Sequence, residues 1–159
     1  MVVRTIRKAI HKEFLKKSDN PVKENLGGTI SEIAFTRHEG GPFEVPRQIN
    51  GLQLQMIFDT GASDVTISSV EANFMLKNRY LSGKDIKGKR YYQVATDELS
   101  AGTIITLREV MIGDVLLKNV EASVVGDQRA PLLLFGQSDM ERLGIITIDN
   151  EQNKLIIKH

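Results

Sequence analysis

Short stretches of alternating apolar and polar residues dominate the chain from residue 29 onward, and they predict strands. Over 52–58, Leu52, Leu54, Met56 and Phe58 alternate with Gln53, Gln55 and Ile57. One face of this strand is expected to be buried and the other partly wet until the strand turns inward. Asn50-Gly51, two residues that tolerate positive φ, joins it to a strand over 43–49 as a tight hairpin. Ile33-Ala34-Phe35 predicts an earlier strand, and Gly40-Gly41-Pro42 a turn. Further strands are expected at 65–67, 91–96, 102–112, 115–118 and 120–125, with Gly113-Asp114 as a turn between two of them. Residues 132–135 (Leu-Leu-Leu-Phe) form an unbroken apolar run, as in a strand buried on both faces, and Gly136 ends it. A last hairpin is expected from 145–149 and 154–158.

Helical signals are fewer. Ser68-Ser69-Val70-Glu71 has the capping-box pattern and predicts a short helix through about residue 76. Ser138 and Glu141 predict a second capped helix that stops at Gly144. Residues 78–89 are polar and contain glycine, which reads as loop. Ahead of all this, Ile6, Ile10, Phe14 and Leu15 recur at helical spacing within 3–17, opposite Arg and Lys. The plain reading of this basic amphipathic helix is packing on its own domain or on a dimer partner, with the basic face in water. A membrane-surface or nucleic-acid role is weaker, because one helix of this length binds poorly alone. Residues 18–28 read as a linker. The chain therefore divides into an extension over 1–28 and a domain over 29–159. That domain is mainly β, a closed barrel or orthogonal sandwich with two short helices.

Composition narrows the function classes. A formal net charge of +1 across 159 residues argues against bulk attraction to nucleic acid or membrane. Without cysteine, thiolate metal sites and cysteine nucleophiles are excluded. No His/Asp/Glu spacing resembles a metal site, so neither metal nor cofactor is expected. No apolar stretch nears the roughly 20 residues that span a bilayer, and the N-terminus lacks the apolar core of a secretory signal. The expectation is a cytoplasmic protein without membrane or nucleic-acid partners, with a removed targeting segment left open.

The chemistry concentrates at Asp59-Thr60-Gly61, followed by Ala62-Ser63. A carboxylate ends one apolar strand, and a β-branched run, Val65-Thr66-Ile67, begins the next. Asp and Gly are common turn residues, so the tripeptide also arises by chance. Its place between apolar strands argues for a purpose, since an unpaired carboxylate there is costly. Gly61 lets backbone approach the carboxylate without a Cβ. The Thr60 hydroxyl can lock the loop, Ala62 keeps the floor small, and Ser63 can donate a hydrogen bond. Hydrolysing a peptide bond with carboxylates takes two of them sharing a water, close enough that both cannot ionise together. The chain has one such turn.

Asp59-Thr60-Gly61-Ala62-Ser63, with Leu134-Phe135-Gly136-Gln137-Ser138, Ile49-Asn50-Gly51 and the stretch from Gly102-Thr103 to Ile112-Gly113, resembles the retropepsin-like aspartic proteases, bacterial single-lobe members especially. The resemblance covers about 29–159. It implies a retropepsin-like β-barrel and an aspartic endopeptidase acting as a homodimer on extended peptide or protein substrates. Asp59 would be the catalytic aspartate, in a loop with Thr60 and Gly61. Thr60 would hydrogen-bond across a two-fold axis to its mate. Substrate would lie between a floor that includes Ala62 and Ser63 and a flap hairpin over 92–103. The flap's candidate contacts are Ala95, Thr96 and Asp97. Its tip is acidic and poor in glycine, with Gly102 alone kept at the return strand. That feature favours an alternative, a non-catalytic peptide-binding or dimerisation module on the same fold. A third class is a nucleic-acid-associated protein anchored by residues 1–17.

Other motifs are weaker. Gly136-Gln137-Ser138-Asp139-Met140 lacks the last glycine of a nucleophile elbow. His11, His38 and His159 are not placed to serve Ser138, which reads as a helix cap. The basic loop over 84–90 lacks a P-loop pattern and reads as solvated.

Overall fold

The computed structural model describes residues 28–39, 41–87, 92–93, 98–99, 101–126 and 133–159. The expected helix over 3–17, nearly all of the 18–28 linker, and the flap residues 94–97 lie outside the described residues.

Thirteen strands are described. They are β1 (Ile30–Ala34), β2 (Thr36–Arg37), β3 (Phe43–Ile49), β4 (Leu52–Phe58), β5 (Val65–Ser68), β6 (Ile86–Lys87), β7 (Tyr92–Gln93), β8 (Glu98–Leu99), β9 (Ile104–Ile112), β10 (Val115–Val125), β11 (Leu133–Phe135), β12 (Ile145–Asp149) and β13 (Lys154–Lys158). Two helices accompany them, α1 (Ser69–Lys77) and α2 (Gln137–Met140). Six strands pair in the order β3-β4-β11-β5-β10-β9, and β9 returns to β3, so the sheet closes on itself as a barrel. β1, β13 and β12 make a separate three-stranded sheet. The mainly β architecture is the one expected, and of the two forms the strand pattern left open, closed barrel or orthogonal sandwich, the closed barrel that the family resemblance implied is observed.

The β3–β4 hairpin turns at Asn50 and Gly51, with φ of 48° and 90°. Asn50 also knits the barrel shut. Its N–H donates to the Glu109 carbonyl (2.9 Å), and its side-chain oxygen accepts from the Glu109 N–H (3.0 Å). On β4, Met56 and Phe58 are buried while Gln53 and Gln55 are exposed, as the alternation requires.

The stretches expected as separate strands at 115–118 and 120–125 are one strand, β10. Its buried positions run Val115, Leu117, then Val120, Ala122, Val124. Its partner β9 flips at the same level, from Ile105 and Leu107 to Val110 and Ile112. Register is kept across the flip, with Lys118 opposite Glu109 and Val120 opposite Leu107. Asn119, at φ 54°, supplies the local reversal. A broken period-2 pattern thus marked a bend shared by two strands, where a strand end was expected.

Three further expectations are corrected. Residues 78–89 are not simply loop: Gly83–Asp85 form a 3₁₀ turn leading into β6, and Leu81 and Asp85 are buried. The Asp85 carboxylate accepts from the Ser82 N–H (2.8 Å) and pairs with Arg108 (3.6 Å), which accounts for a buried acid there. Leu134 is only half-buried between buried Leu133 and Phe135. Ser138 does not cap α2; Gly136 occupies the cap position in extended conformation. Ser68 caps α1, its Oγ accepting from the Glu71 N–H (3.1 Å), which is the serine half of the capping box expected there.

Candidate active site

Asp59 sits at the end of β4, and the chain then turns through 60–64 into β5. β11 lies between these two strands. It runs parallel to β4, with Phe135 level with Phe58, and antiparallel to β5, with Leu133 level with Ile67. The loop bearing the carboxylate is thereby spanned at its base by a third strand. The Asp59 N–H donates to the Phe135 carbonyl (3.2 Å). Beneath it runs a row of four phenylalanine rings, Phe35, Phe43, Phe58 and Phe135, with successive centroids 4.5, 5.8 and 5.7 Å apart. These rings are buried, so the turn rests on a well-packed floor.

Within the turn, the Gly61 N–H donates to Asp59 Oδ1 (2.9 Å) and the Ala62 N–H to the Asp59 carbonyl (3.2 Å). A Cβ on residue 61 would stand 3.2 Å from that same Oδ1, which is the close approach that glycine permits. Thr60 and Gly61 are exposed, Asp59 and Ala62 half-buried, and Ser63 exposed.

The other half of the scaffold comes from Gly136-Gln137-Ser138. The Gln137 N–H donates to the Ala62 carbonyl (2.8 Å) and the Ser138 N–H to the Ser63 carbonyl (2.9 Å). The first N–H groups of a helix have no partner inside it. Here the turn's own carbonyls satisfy two of them, which is why no serine cap is needed. Gln137 Nε2 also donates to the Thr60 carbonyl (2.5 Å). Gly136 is buried against Asp64 so closely that an added Cβ would lie 2.4 Å from the Asp64 carbonyl oxygen. Sequence reasoning used Gly136 as a strand breaker and assigned Gln137 no role. The signal was present, because the tripeptide directly follows the buried run that reaches the site.

Asp59, Thr60, Gly61, Ala62 and Ser63 therefore share one turn. Ala95, Thr96 and Asp97 lie outside the described residues. The hairpin expected to carry them is described at its base, where Tyr92 pairs with Leu99 and Gln93 with Glu98. Its return strand is fixed to α1 through a residue the sequence did not single out. The Asn73 side chain accepts from the Leu99 N–H (2.7 Å) and donates to the Leu99 carbonyl (3.3 Å), and Leu99 is buried.

Among the described residues, no group of three or more His, Cys, Asp or Glu could hold a metal ion, and no helix is long and apolar enough to cross a membrane. Among the described residues, Arg47 is a buried cation. Arg47 occupies an inward position of β3, in phase with Phe43, Val45 and Ile49. Burial lowers its pKa to about 9, against the opposing pull of Glu71. Burial raises the Glu71 carboxyl above its ordinary value, and Arg47 offsets part of that rise.

Comparison with known proteins places this arrangement in a family. Residues 45–142 match the family model described as "gag-polyprotein putative aspartyl protease". The chain is 30% identical over 125 residues to the uncharacterized protein RP867 of Rickettsia prowazekii (strain Madrid E), covering 77% of this chain and 50% of that protein. It thus spans about half the length of that relative. Among solved structures it is similar to a retropepsin-like aspartic protease from Rickettsia conorii. That match has a TM-score of 0.57 and 26% identity, over 83% of this chain and 93% of the other. The matched span takes in both Asp59-Thr60-Gly61 and Gly136-Gln137-Ser138, and the chain belongs to the retropepsin-like aspartyl protease family.

Proposed function

We propose that the protein is an aspartic endopeptidase whose active site forms between two copies of the chain, each supplying Asp59. The observation that carries this reading is the turn itself. A carboxylate is held at a strand end by a glycine N–H and a crossing strand, while Thr60 and Gly61 face outward. A single carboxylate cannot both accept a proton from water and donate one to a carbonyl oxygen. The second must come from a partner, and a two-fold axis beside Thr60 provides it.

In this mechanism one Asp59 is ionised and the other protonated, because two carboxylates at close range cannot both carry charge. The ionised one takes a proton from a water poised between them. The protonated one gives its proton to the carbonyl oxygen as the water oxygen bonds to the carbon. The resulting tetrahedral diol collapses with transfer of a proton to the departing amine. No covalent enzyme intermediate forms. The substrate lies extended, as an added strand. The β7–β8 hairpin serves as the flap over it, with Ala62 and Ser63 in the floor and Ala95, Thr96 and Asp97 as its candidate contacts.

The test is a peptide library incubated with the protein from mildly acidic to neutral pH, beside Asp59→Asn. Cleavage by the parent and none by the variant is expected. Equal cleavage by both rejects the assignment. Peptide binding without turnover in both supports the non-catalytic module instead.

A further inference from the structure

The cation at Arg47 has no place in the chemistry above. The residue is 3% exposed. Its Nη2 donates to the Gln55 carbonyl (3.0 Å), but its Nε and Nη1 have no hydrogen-bond partner. With a pKa of about 9 the guanidinium is charged at neutral pH. Three N–H donors of a buried cation are therefore unpaired, and such groups are rare because water or protein normally satisfies them. Arg47 also lines a pocket of about 400 Å³, together with Pro46, Gln53, Leu54, Gln55, Glu71 and Leu133. That volume lies in the ~300–1,000 Å³ range of small-molecule sites and exceeds by on the order of tenfold the space one bridging water takes. Glu71 acts on Arg47 electrostatically but does not pair with it directly. Gln55 is four residues ahead of Asp59 on β4, so the pocket stands about 13 Å along the strand from the turn.

We propose that this pocket binds a small oxyanion, a phosphate or a carboxylate, through the unpartnered Nε and Nη1 of Arg47. An acceptor-rich anion answers three free donors around a positive charge, and a planar guanidinium matches two oxygens of one anion at once. Glu71 sets the strength of binding, because its negative charge competes with the ligand for the same cation. The site is independent of the peptidase reading and would stand if that reading failed. Its occupant would tie β3, β4 and β11 together, the strands that carry and span the Asp59 turn.

The test titrates the ¹⁵N-labelled full chain with inorganic phosphate, and separately with succinate. Chloride holds the ionic strength constant, and the Arg47 Nε–H resonance is read by NMR. A saturable shift of that resonance is expected, roughly tenfold tighter in Glu71→Gln; in Arg47→Lys, which keeps the charge but loses the fork, the Gln55 backbone amide is followed instead and binding is at least about tenfold weaker. Saturation by phosphate alone identifies a phosphoryl ligand, and by succinate alone a carboxylate. Absence of saturation with both anions, in the parent and in Glu71→Gln alike, overturns the proposal and assigns the pocket to water. The Glu71→Gln arm decides the matter even if Arg47→Lys fails to fold.

Discussion

Gln137 reaches back across 77 residues of sequence to hold Thr60, its side-chain Nε2 donating to the Thr60 carbonyl at 2.5 Å. Together with the backbone bonds from Gln137 and Ser138 to Ala62 and Ser63, this fastens the Asp59 turn to the start of α2. Gln137→Ala removes one exposed hydrogen bond and should cost about 1 kcal/mol of stability. Its effect on turnover should be larger, roughly tenfold to a hundredfold in kcat, because small misplacements of reacting groups are expensive. Steady-state kinetics beside urea unfolding separates the two. A variant with unchanged kcat would show that the turn needs no such tie.

Gly136 admits no side chain. A Cβ there would meet three backbone atoms of Asp64 at 2.4, 2.6 and 2.7 Å, and backbone cannot swing aside as a side-chain tip can. Gly136→Ala should destabilise the fold by about 3 kcal/mol, the upper part of the overpacking range. Chemical denaturation checks this, and a loss below about 1 kcal/mol would mean the crossing of α2 over the turn is looser than described.

Asn73 joins α1 to β8 through two bonds to the backbone of buried Leu99. Asn73→Ala leaves that N–H and carbonyl without their partner, at a cost of about 1–2 kcal/mol. Hydrogen exchange of the Leu99 amide should quicken about tenfold, with little change across β3 and β4. Uniform quickening through the barrel would instead indicate global loss.

Glu71 gives the stability a definite pH dependence. Burial, partly offset by Arg47, keeps its carboxyl protonated in the folded state above the ordinary value of 4.5. Between that value and the raised one the folded state holds more protons than the unfolded. Stability from this group is therefore present at low pH and lost as pH rises through the window. Arg47 works in a separate range, from about 9 up to the ordinary value of a free guanidinium, where the folded state holds fewer protons and stability rises with pH. Glu71→Gln should flatten the mildly acidic slope in unfolding measured at stepped pH. An unaltered slope would assign it to another group.

Much of this was legible because period-2 alternation and turn chemistry act locally. Asn50-Gly51 announced its hairpin, and Leu52, Leu54, Met56 and Phe58 announced their buried face. Asp59-Thr60-Gly61 stood out by its strand context. What stayed hidden depends on contacts distant in sequence. Ser138 read as a helix cap because nothing local reveals that the Ala62 and Ser63 carbonyls already satisfy the helix start. Asn119 looked like a strand end because the bend is shared with β9. Arg47 passed unremarked, although it breaks the inward series Phe43, Val45, Ile49 in phase, which is the pattern a buried cation leaves.

The claim that Asp59 is half of a site is tested most directly by subunit dilution. Wild-type protein is mixed with increasing Asp59→Asn at constant total concentration, allowed to exchange subunits, and assayed on a peptide that the wild type cleaves. If each site draws one Asp59 from each chain, mixed dimers are dead and activity falls as the square of the wild-type fraction. A fall in simple proportion to the wild-type fraction would mean that each chain works alone, and would contradict the account.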